Sequence, residues 1–483
     1  MRIGTTIVAS VAGMLLTGVA VAQVAPRQPA AIQRTAFQYD DYLNYAPAEG
    51  VSPSPSDKPL PPAPKAAPPA PAAAGTALAC DGVGACDPAC GNVCSNGCGC
   101  DGGCGEKKCR WCICGKLEDP WTLPMPCFLQ CRNIKVGGWT SGGGFANTYG
   151  DPSNGPLGFR SAADLSSDQN LIFAEKTTDT KCKVFDWGFR VDYMFGFDGP
   201  DTQAFGDQDW DYNWDTSADY GSAMPQAYAT MAINDLTIKA GRFWTPIGYE
   251  VVPATGRFFY SHSYTCFYAE PFTHTGVLGS YKVGEKLTVH GGWTDGWDQG
   301  WRNRNGASTI LAGFTYTPSD KTTVNWFISQ GRFGDGRFSG NNGEILFSSY
   351  VMSYKLTEKW TYVFQNDYGL NYSLPTADTS WYSVNQYLIY KINDCWSFGG
   401  RLEWFADPDG ARVAGDGYGR VLGNRGSYWE MTGGLNWKPH ANITIRPEVR
   451  YDWFHGTQVN QRPFNRGQST EQLSGGCDVI FTF

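Results

Sequence analysis

Ten of the sixteen cysteines fall within residues 80–114: Cys80, Cys86, Cys90, Cys94, Cys98, Cys100, Cys104, Cys109, Cys112 and Cys114. They follow a leader of the export type, with Arg2, an apolar run from Ile7 to Val19, and Ala20-Val21-Ala22 before Gln23. The run is short for a spanning helix, which needs about 20 apolar residues. Outside the cytoplasm, cysteines interleaved with Gly and Asp imply a disulfide-stapled knot or cross-links to other envelope components. A zinc or iron–sulfur centre wants paired CxxC units, and only Cys109-Arg110-Trp111-Cys112 supplies one. The third reading is unstructured chain bearing reduced thiols. Gly97 to Gly102 fits GxGxxG but follows no strand and opens no helix, so it carries no nucleotide.

Other reactive side chains are sparse. Five histidines in 483 residues give no reason to expect a metal site or a cofactor, and no GxSxG, HExxH or Walker sequence marks an enzyme. Between Asp198 and Asp219 lie seven Asp and no Lys or Arg. Asp207-x-Asp209-x-Asp211 starts like a calcium loop, but Tyr212 and Ala218 stand where Gly and Glu are needed, so an EF-hand is rejected. The stretch reads as a solvated acidic loop, with a loose divalent-cation site as the alternative. Residues 243–271 are unusually apolar for an exposed loop, with Ile247, Val252, Phe258, Phe259, Tyr264, Phe267 and Tyr268, yet they also carry Glu250, Arg257, His262 and Glu270. Such a loop must pack against something.

The elements that would position these groups are strands. With 59 Gly, 70 aromatic residues (18 Trp, 25 Tyr and 27 Phe) and 17% charged residues, the chain suits β-structure better than helix. A pI near 5.2 argues against nucleic acid as a partner. Period-two alternation recurs after Asn133. Phe185, Trp187, Phe189, Val191, Tyr193 and Phe195 oppose Asp186, Arg190 and Asp192; Trp396, Phe398, Leu402 and Trp404 oppose Ser397, Arg401 and Glu403. Ile443, Ile445, Val449, Tyr451 and Trp453 oppose Thr444, Arg446, Glu448, Arg450 and Asp452. A soluble sandwich would turn its polar face outward over a core of compact aliphatics. Here one face holds aromatics near strand ends, as at a lipid interface, and the other mixes both charge signs, as in a wet lumen.

Tight turns recur from one end of this region to the other. Tyr281–Leu287, Tyr316–Thr322, Tyr354–Trp360, Tyr390–Trp396 and Trp437–Ile443 each open on an aromatic and carry polar turn residues; Ile233–Leu236 and Thr177–Lys181 make seven. Seven tight turns with both chain ends on one side give sixteen strands, to within two, over the 351 residues from 133 to 483. The expected fold is therefore all-β: a transmembrane antiparallel barrel in outer-membrane lipid, with short periplasmic turns and long extracellular loops. Ahead of it lie the leader (1–22), a disordered Pro/Ala-rich linker (23–79) and the Cys-rich segment (80–132). The final Cys477-Asp-Val-Ile-Phe-Thr-Phe483 puts Cys477, Val479, Phe481 and Phe483 on one face and ends in Phe, like the last strand of bacterial outer-membrane barrels.

Residues 133–483 resemble the OmpL-like β-barrel porins, most distinctively in Gly241-Arg-Phe-Trp-Thr-Pro-Ile-Gly-Tyr-Glu250, Phe258-Phe-Tyr-Ser-His-Ser-Tyr264 and Glu270-Pro-Phe-Thr-His-Thr-Gly276. The resemblance implies passive diffusion of small hydrophilic solutes and ions across an outer membrane, and by family type a homotrimer. It also implies that residues 243–271, the third long loop, fold inward and narrow the pore, so that Glu250, Arg257, His262 and Glu270 line the constriction. Arg190, Asp192, Arg401, Glu403, Arg446, Glu448 and Arg450 are then the candidates on the facing wall. The rival reading makes the barrel an anchor, cross-linked to wall or envelope components through the Cys-rich segment.

Overall fold

Alternation of side chains along the chain becomes alternation of burial. In the computed structural model, β3 (Phe185–Gly196) exposes Phe185, Trp187, Val191, Tyr193 and Phe195 and buries Asp186, Arg190 and Asp192. A strand with one lipid-like and one polar face is stable only if its edges are paired, and full closure pairs all of them. The described residues run from 117 to 483, except 118, 151–155, 157–164, 182, 205–209, 212–213, 215–219, 302–305, 333, 335–342, 373–377, 414–423 and 459–460. The leader, the linker and the ten clustered cysteines lie outside the described residues.

The strands preceding and following β3 are β1 (Lys135–Asn147), β2 (Ser166–Lys176), β4 (Gly221–Ile233), β5 (Leu236–Trp244), β6 (Thr273–Lys282), β7 (Leu287–Thr294) and β8 (Ser308–Ser319). The second half holds β9 (Thr322–Arg332), β10 (Glu344–Lys355), β11 (Trp360–Tyr372), β12 (Thr379–Lys391), β13 (Trp396–Asp407), β14 (Gly426–His440), β15 (Ile443–Gly456) and β16 (Glu471–Thr482). Each pairs antiparallel with its neighbour in sequence, and β1 closes on β16 from Trp139↔Thr482 to Asn147↔Ser474. All seven expected tight turns join these strands at one end of the barrel. The weakly alternating stretches near 170 and 385 are strands β2 and β12. At the other end run the long connections; that between β5 and β6 (245–272) is loop 3.

Aromatic girdles mark both ends of the wall. Near the tight turns Trp396 stacks on Trp437 (5.3 Å, 9°) and Trp360 meets Tyr390 at 4.5 Å. Near the long loops Trp429 stacks on Trp453 (5.7 Å, 7°), beside Trp404. On β13 the two girdles are eight residues apart, roughly 27 Å along a strand at ~3.4 Å per residue. After strand tilt this fits the ~25 Å apolar band of outer-membrane barrels. The tight-turn rim also carries helix α1 (Cys127–Gln130) and the chain leading into it. Asn442, in the β14–β15 turn, accepts the Trp121 amide (2.7 Å) and donates to the carbonyls of Trp121 (2.7 Å) and Thr482 (2.8 Å). Cys127 and Cys395, the latter in the β12–β13 turn, are both disulfide-bonded.

The largest buried cluster lies inside the barrel. Loop 3 supplies Ile247, Val252, Tyr264, Phe267, Tyr268 and Phe272, packed on Phe347, Trp381, Phe405 and Tyr428 of the inner wall. Loop 3 holds a 3₁₀ turn (Ala254–Gly256) and a π-helical turn (Thr265–Ala269). Leu402, on β13, instead faces outward at 42% exposure. Leu402 lies between the midplane and the loop-side girdle, so Leu402→Arg is expected to destabilise the barrel in lipid by about 1–2 kcal/mol. Urea-induced unfolding in phospholipid vesicles measures it.

Candidate functional site

A loop carried into a barrel takes its backbone amides and carbonyls away from water, and each needs a partner. Charges on the inner wall supply them. Arg446 donates to the carbonyls of Ala254 (3.0 Å) and Arg257 (2.7 Å); Glu448 accepts the amides of Tyr260 (2.8 Å) and Ser261 (3.1 Å). Arg401 donates to the Ser261 carbonyl (2.9 Å), and Arg450 to that of His262 (2.5 Å). Glu403 accepts the amides of Tyr264 (2.8 Å) and Thr265 (2.5 Å) as well as the Thr265 hydroxyl. Gln169 on β2 grips the opposite flank, accepting from Ala254 N (2.9 Å) and donating to Val252 O (2.8 Å).

These wall charges are themselves paired. Arg446 makes a two-point contact with Asp478 (2.9 and 2.5 Å), Arg450 pairs with Asp452 (2.7 Å) and Arg401 with Glu430 (2.7 Å). Strand register explains two of the partners. Arg446 sits directly across from Asp478, and Glu403 directly across from Glu430, where Arg401 reaches it. Charged hydrogen bonds of this kind are roughly twice as strong as neutral ones.

Glu250 is the hub. Its carboxylate takes Arg401 Nη1 (3.0 Å) and the Tyr387 hydroxyl (3.1 Å) on Oε2, and His262 Nδ1 (2.8 Å) and the Ser263 amide (3.2 Å) on Oε1. Burial alone would raise its pKa, but Arg401, the His262 hydrogen bond and nearby Arg257 overcome this and hold the carboxyl below its usual range. Burial and the Arg257 charge drive His262 the other way from its ordinary 6.5, down to about 3, against the pull of Glu250. The imidazole is thus neutral and donates from Nδ1. Cys266 Sγ lies 3.4 Å from the same nitrogen. Glu270, at the far end of loop 3, shares the Gln365 side-chain amide (2.5 Å) with Asp367 of β11. Burial first, then Asp367, push its pKa well above the ordinary carboxyl value. Gly248, at φ +85°, leaves the space this carboxylate fills.

The structure thus brings Glu250, Arg257, His262 and Glu270 inside the barrel and sets Arg401, Glu403, Arg446, Glu448 and Arg450 against their loop. Those five wall residues are at most 5% exposed, because loop 3 covers them instead of water. Arg190 and Asp192 point inward but stand apart, paired to each other (2.8 Å) and to Glu175 (2.7 Å) and Gln226 (2.9 Å). The acidic stretch needs correcting where it is described. Asp198 and Asp211 are buried, not solvated. Asp211 accepts the amides of Ala204 (2.7 Å) and Met224 (2.6 Å), with Arg242 at 3.6 Å. Burial and neighbouring Asp168 push Asp198 up to about 8. Asp207, Asp209, Asp215 and Asp219 lie outside the described residues. Sequence reasoning missed Glu430, Asp478, Tyr387 and Gln365; extending the alternation through β11, β12, β14 and β16 would have placed all four on the inner face.

Removing Arg401 strands two buried carboxylates, so Arg401→Ala is expected to cost about 3–5 kcal/mol in urea unfolding in detergent. Acid and base should loosen loop 3 for different reasons. As pH falls from 6.5 toward 3 the unpacked loop protonates His262 while the packed one resists, and below 4.5 Glu250 adds the same effect. Above 4.5 the packed loop holds a proton on Glu270 that the unpacked loop has lost, so this contribution fades as pH rises. Hydrogen exchange of residues 249–272, corrected for intrinsic rate, should be slowest between about pH 4.5 and 6.5, the interval these opposing terms set.

No curated protein sequence matches the chain. Among solved structures it is similar to the outer membrane channel DcaP of Acinetobacter baumannii, with TM-score 0.50, 11% identity, and 72% of this chain and 97% of that one covered. An anion-selective porin from Comamonas acidovorans (TM-score 0.49, 8% identity, 72% and 99% covered) and OmpT of Vibrio cholerae (0.45, 12%, 72% and 97%) also align. The family model described as "Putative beta-barrel porin-2, OmpL-like" matches residues 133–483. This chain, a closed sixteen-strand barrel with charges on its inner wall, belongs to that family of outer-membrane porins.

Proposed function

We propose that the protein is a passive channel for small hydrophilic solutes and ions, delivered by its leader to the bacterial outer membrane, and that loop 3 sets what passes. The observation that carries this reading is the fixing of loop 3 by paired charges on the facing wall. A loop held that way gives a pore a fixed cross-section and a fixed field.

Within that field Arg257 is distinctive. Its guanidinium Nε and Nη1 are buried without hydrogen-bond partners, and it forms no ion pair among the described residues. Its charge is felt by Asp198, Glu250 and His262 alike. A cation with no close ion pair at a narrow section favours anions over cations in transit.

Purified protein in planar bilayers is expected to give stepwise conductance, either as the full chain or only after residues 23–132 are deleted, which would mark the extension as a plug. Silence from both forms would remove the channel reading. Under a salt gradient, Arg257→Gln should move the reversal potential toward cation preference relative to the wild type. An unchanged potential would take Arg257 out of the selectivity account.

A further inference from the structure

Glu250, His262 and Cys266 place a carboxylate oxygen, an imidazole nitrogen and a thiol sulfur within 4.8 Å of one another, all buried. We propose that these three side chains form a binding site for a single borderline transition-metal ion of the zinc class, seated in loop 3. Oε1 of Glu250 is 2.8 Å from Nδ1 of His262, and Nδ1 is 3.4 Å from Sγ of Cys266. Ligand atoms around tetrahedral zinc, with bonds of about 2.0–2.3 Å, are separated by roughly 3–4 Å, so small side-chain shifts suffice.

The chain is shaped to hold this set. His262 lies just ahead of the π-helical turn Thr265–Ala269 that carries Cys266, and the Ser263 hydroxyl between them accepts the Cys266 amide (3.1 Å). The second carboxylate oxygen of Glu250 is fixed by Arg401 and Tyr387, which leaves Oε1 turned toward the other two ligands. Arg401 is in turn held by Glu430. Outer partners of this kind orient a metal's ligands and are part of a working site.

Chemistry selects the ion. Calcium and magnesium require six or more oxygens, and only one is offered here. Thiolate, imidazole and carboxylate together suit zinc and its neighbours, with a fourth position for water or chloride. One thiolate and one carboxylate balance a divalent charge, so the site can sit beside Arg401 and Arg257 without adding to their repulsion. Nδ1 of His262 donates its proton toward Oε1 of Glu250 (2.8 Å). Binding therefore forms metal bonds to Oε1, Nδ1 and Sγ, moves the Nδ1 proton to Nε2, and releases the thiol proton to solvent, a net loss of one proton.

The proposal stands independently of conduction and is tested by binding. Full-length protein in detergent is titrated with zinc chloride by calorimetry, beside Cys266→Ser and His262→Gln, each checked for the heat-modifiable gel mobility of a folded barrel. Metal taken up by the Cys-rich segment is common to all three and cancels. Each variant is expected to bind one equivalent fewer than the wild type. Equal stoichiometry in all three, or a loss confined to one variant, overturns the site. If a variant does not fold, diffraction at the zinc edge from zinc-soaked wild-type crystals decides. One anomalous peak among Glu250, His262 and Cys266 supports the proposal, and no peak there overturns it.

Discussion

Every buried backbone N–H and C=O of loop 3 needs a partner, and that requirement organises the inside of the barrel. A surface loop would leave these groups to water. Here wall arginines offer donors to carbonyls at 254, 257, 261 and 262, and wall glutamates offer acceptors to amides at 260, 261, 264 and 265. Fixed charges suit the task because a guanidinium can bind its carboxylate and a carbonyl together, each in the geometry of its rigid fork. Arg401 does this with Glu430, Glu250 and Ser261 at once. The same residues that a polar inner wall requires are therefore those that shape the loop.

Apolar packing finishes what the charges begin. Tyr264 shows both at once: its ring lies against Phe405 and Tyr428, its hydroxyl donates to Asp452 at 2.7 Å, and the Arg450 guanidinium sits 5.0 Å from its centroid. The loop end of the barrel is closed in further by residue 412, whose guanidinium donates to the Tyr268 carbonyl (2.6 Å) and lies over Trp381 at 4.6 Å. Breaking such contacts one at a time leaves polar atoms unmatched in a region of low dielectric, which is why the loop holds as a unit.

Strands and turns were legible in the sequence because period-two alternation and aromatic-flanked turns are local signals. Phe185 to Phe195 could be assigned face by face without knowing any neighbour. The seven turns, counted from their aromatic and polar residues alone, match the strand number. Loop 3 was legible as a segment that must pack, since Phe259, Tyr264 and Phe267 have no business in water. What could not be read depends on register between distant strands. Glu430 and Asp478 become partners only once β13–β14 and β15–β16 are aligned. The meeting of Glu250 with His262 and Cys266 depends on a reversal inside the loop that no periodicity announces. Asp198 and Asp211 were misjudged as solvated because a run of acids looks like a surface, whereas main-chain amides at 204 and 224 claim Asp211.

The clasp at Asn442 has a mechanical consequence. One side chain binds both the segment entering the barrel, at Trp121, and its last strand, at Thr482. One residue beyond β16, Phe483 exchanges amide and carbonyl with Gly138 across the seam between first and last strands. Tension on the chain ahead of residue 121 would thus reach the joint that turns the sheet into a cylinder, and Asn442 stands between the pull and that joint. A load on that segment enters the wall at its point of closure.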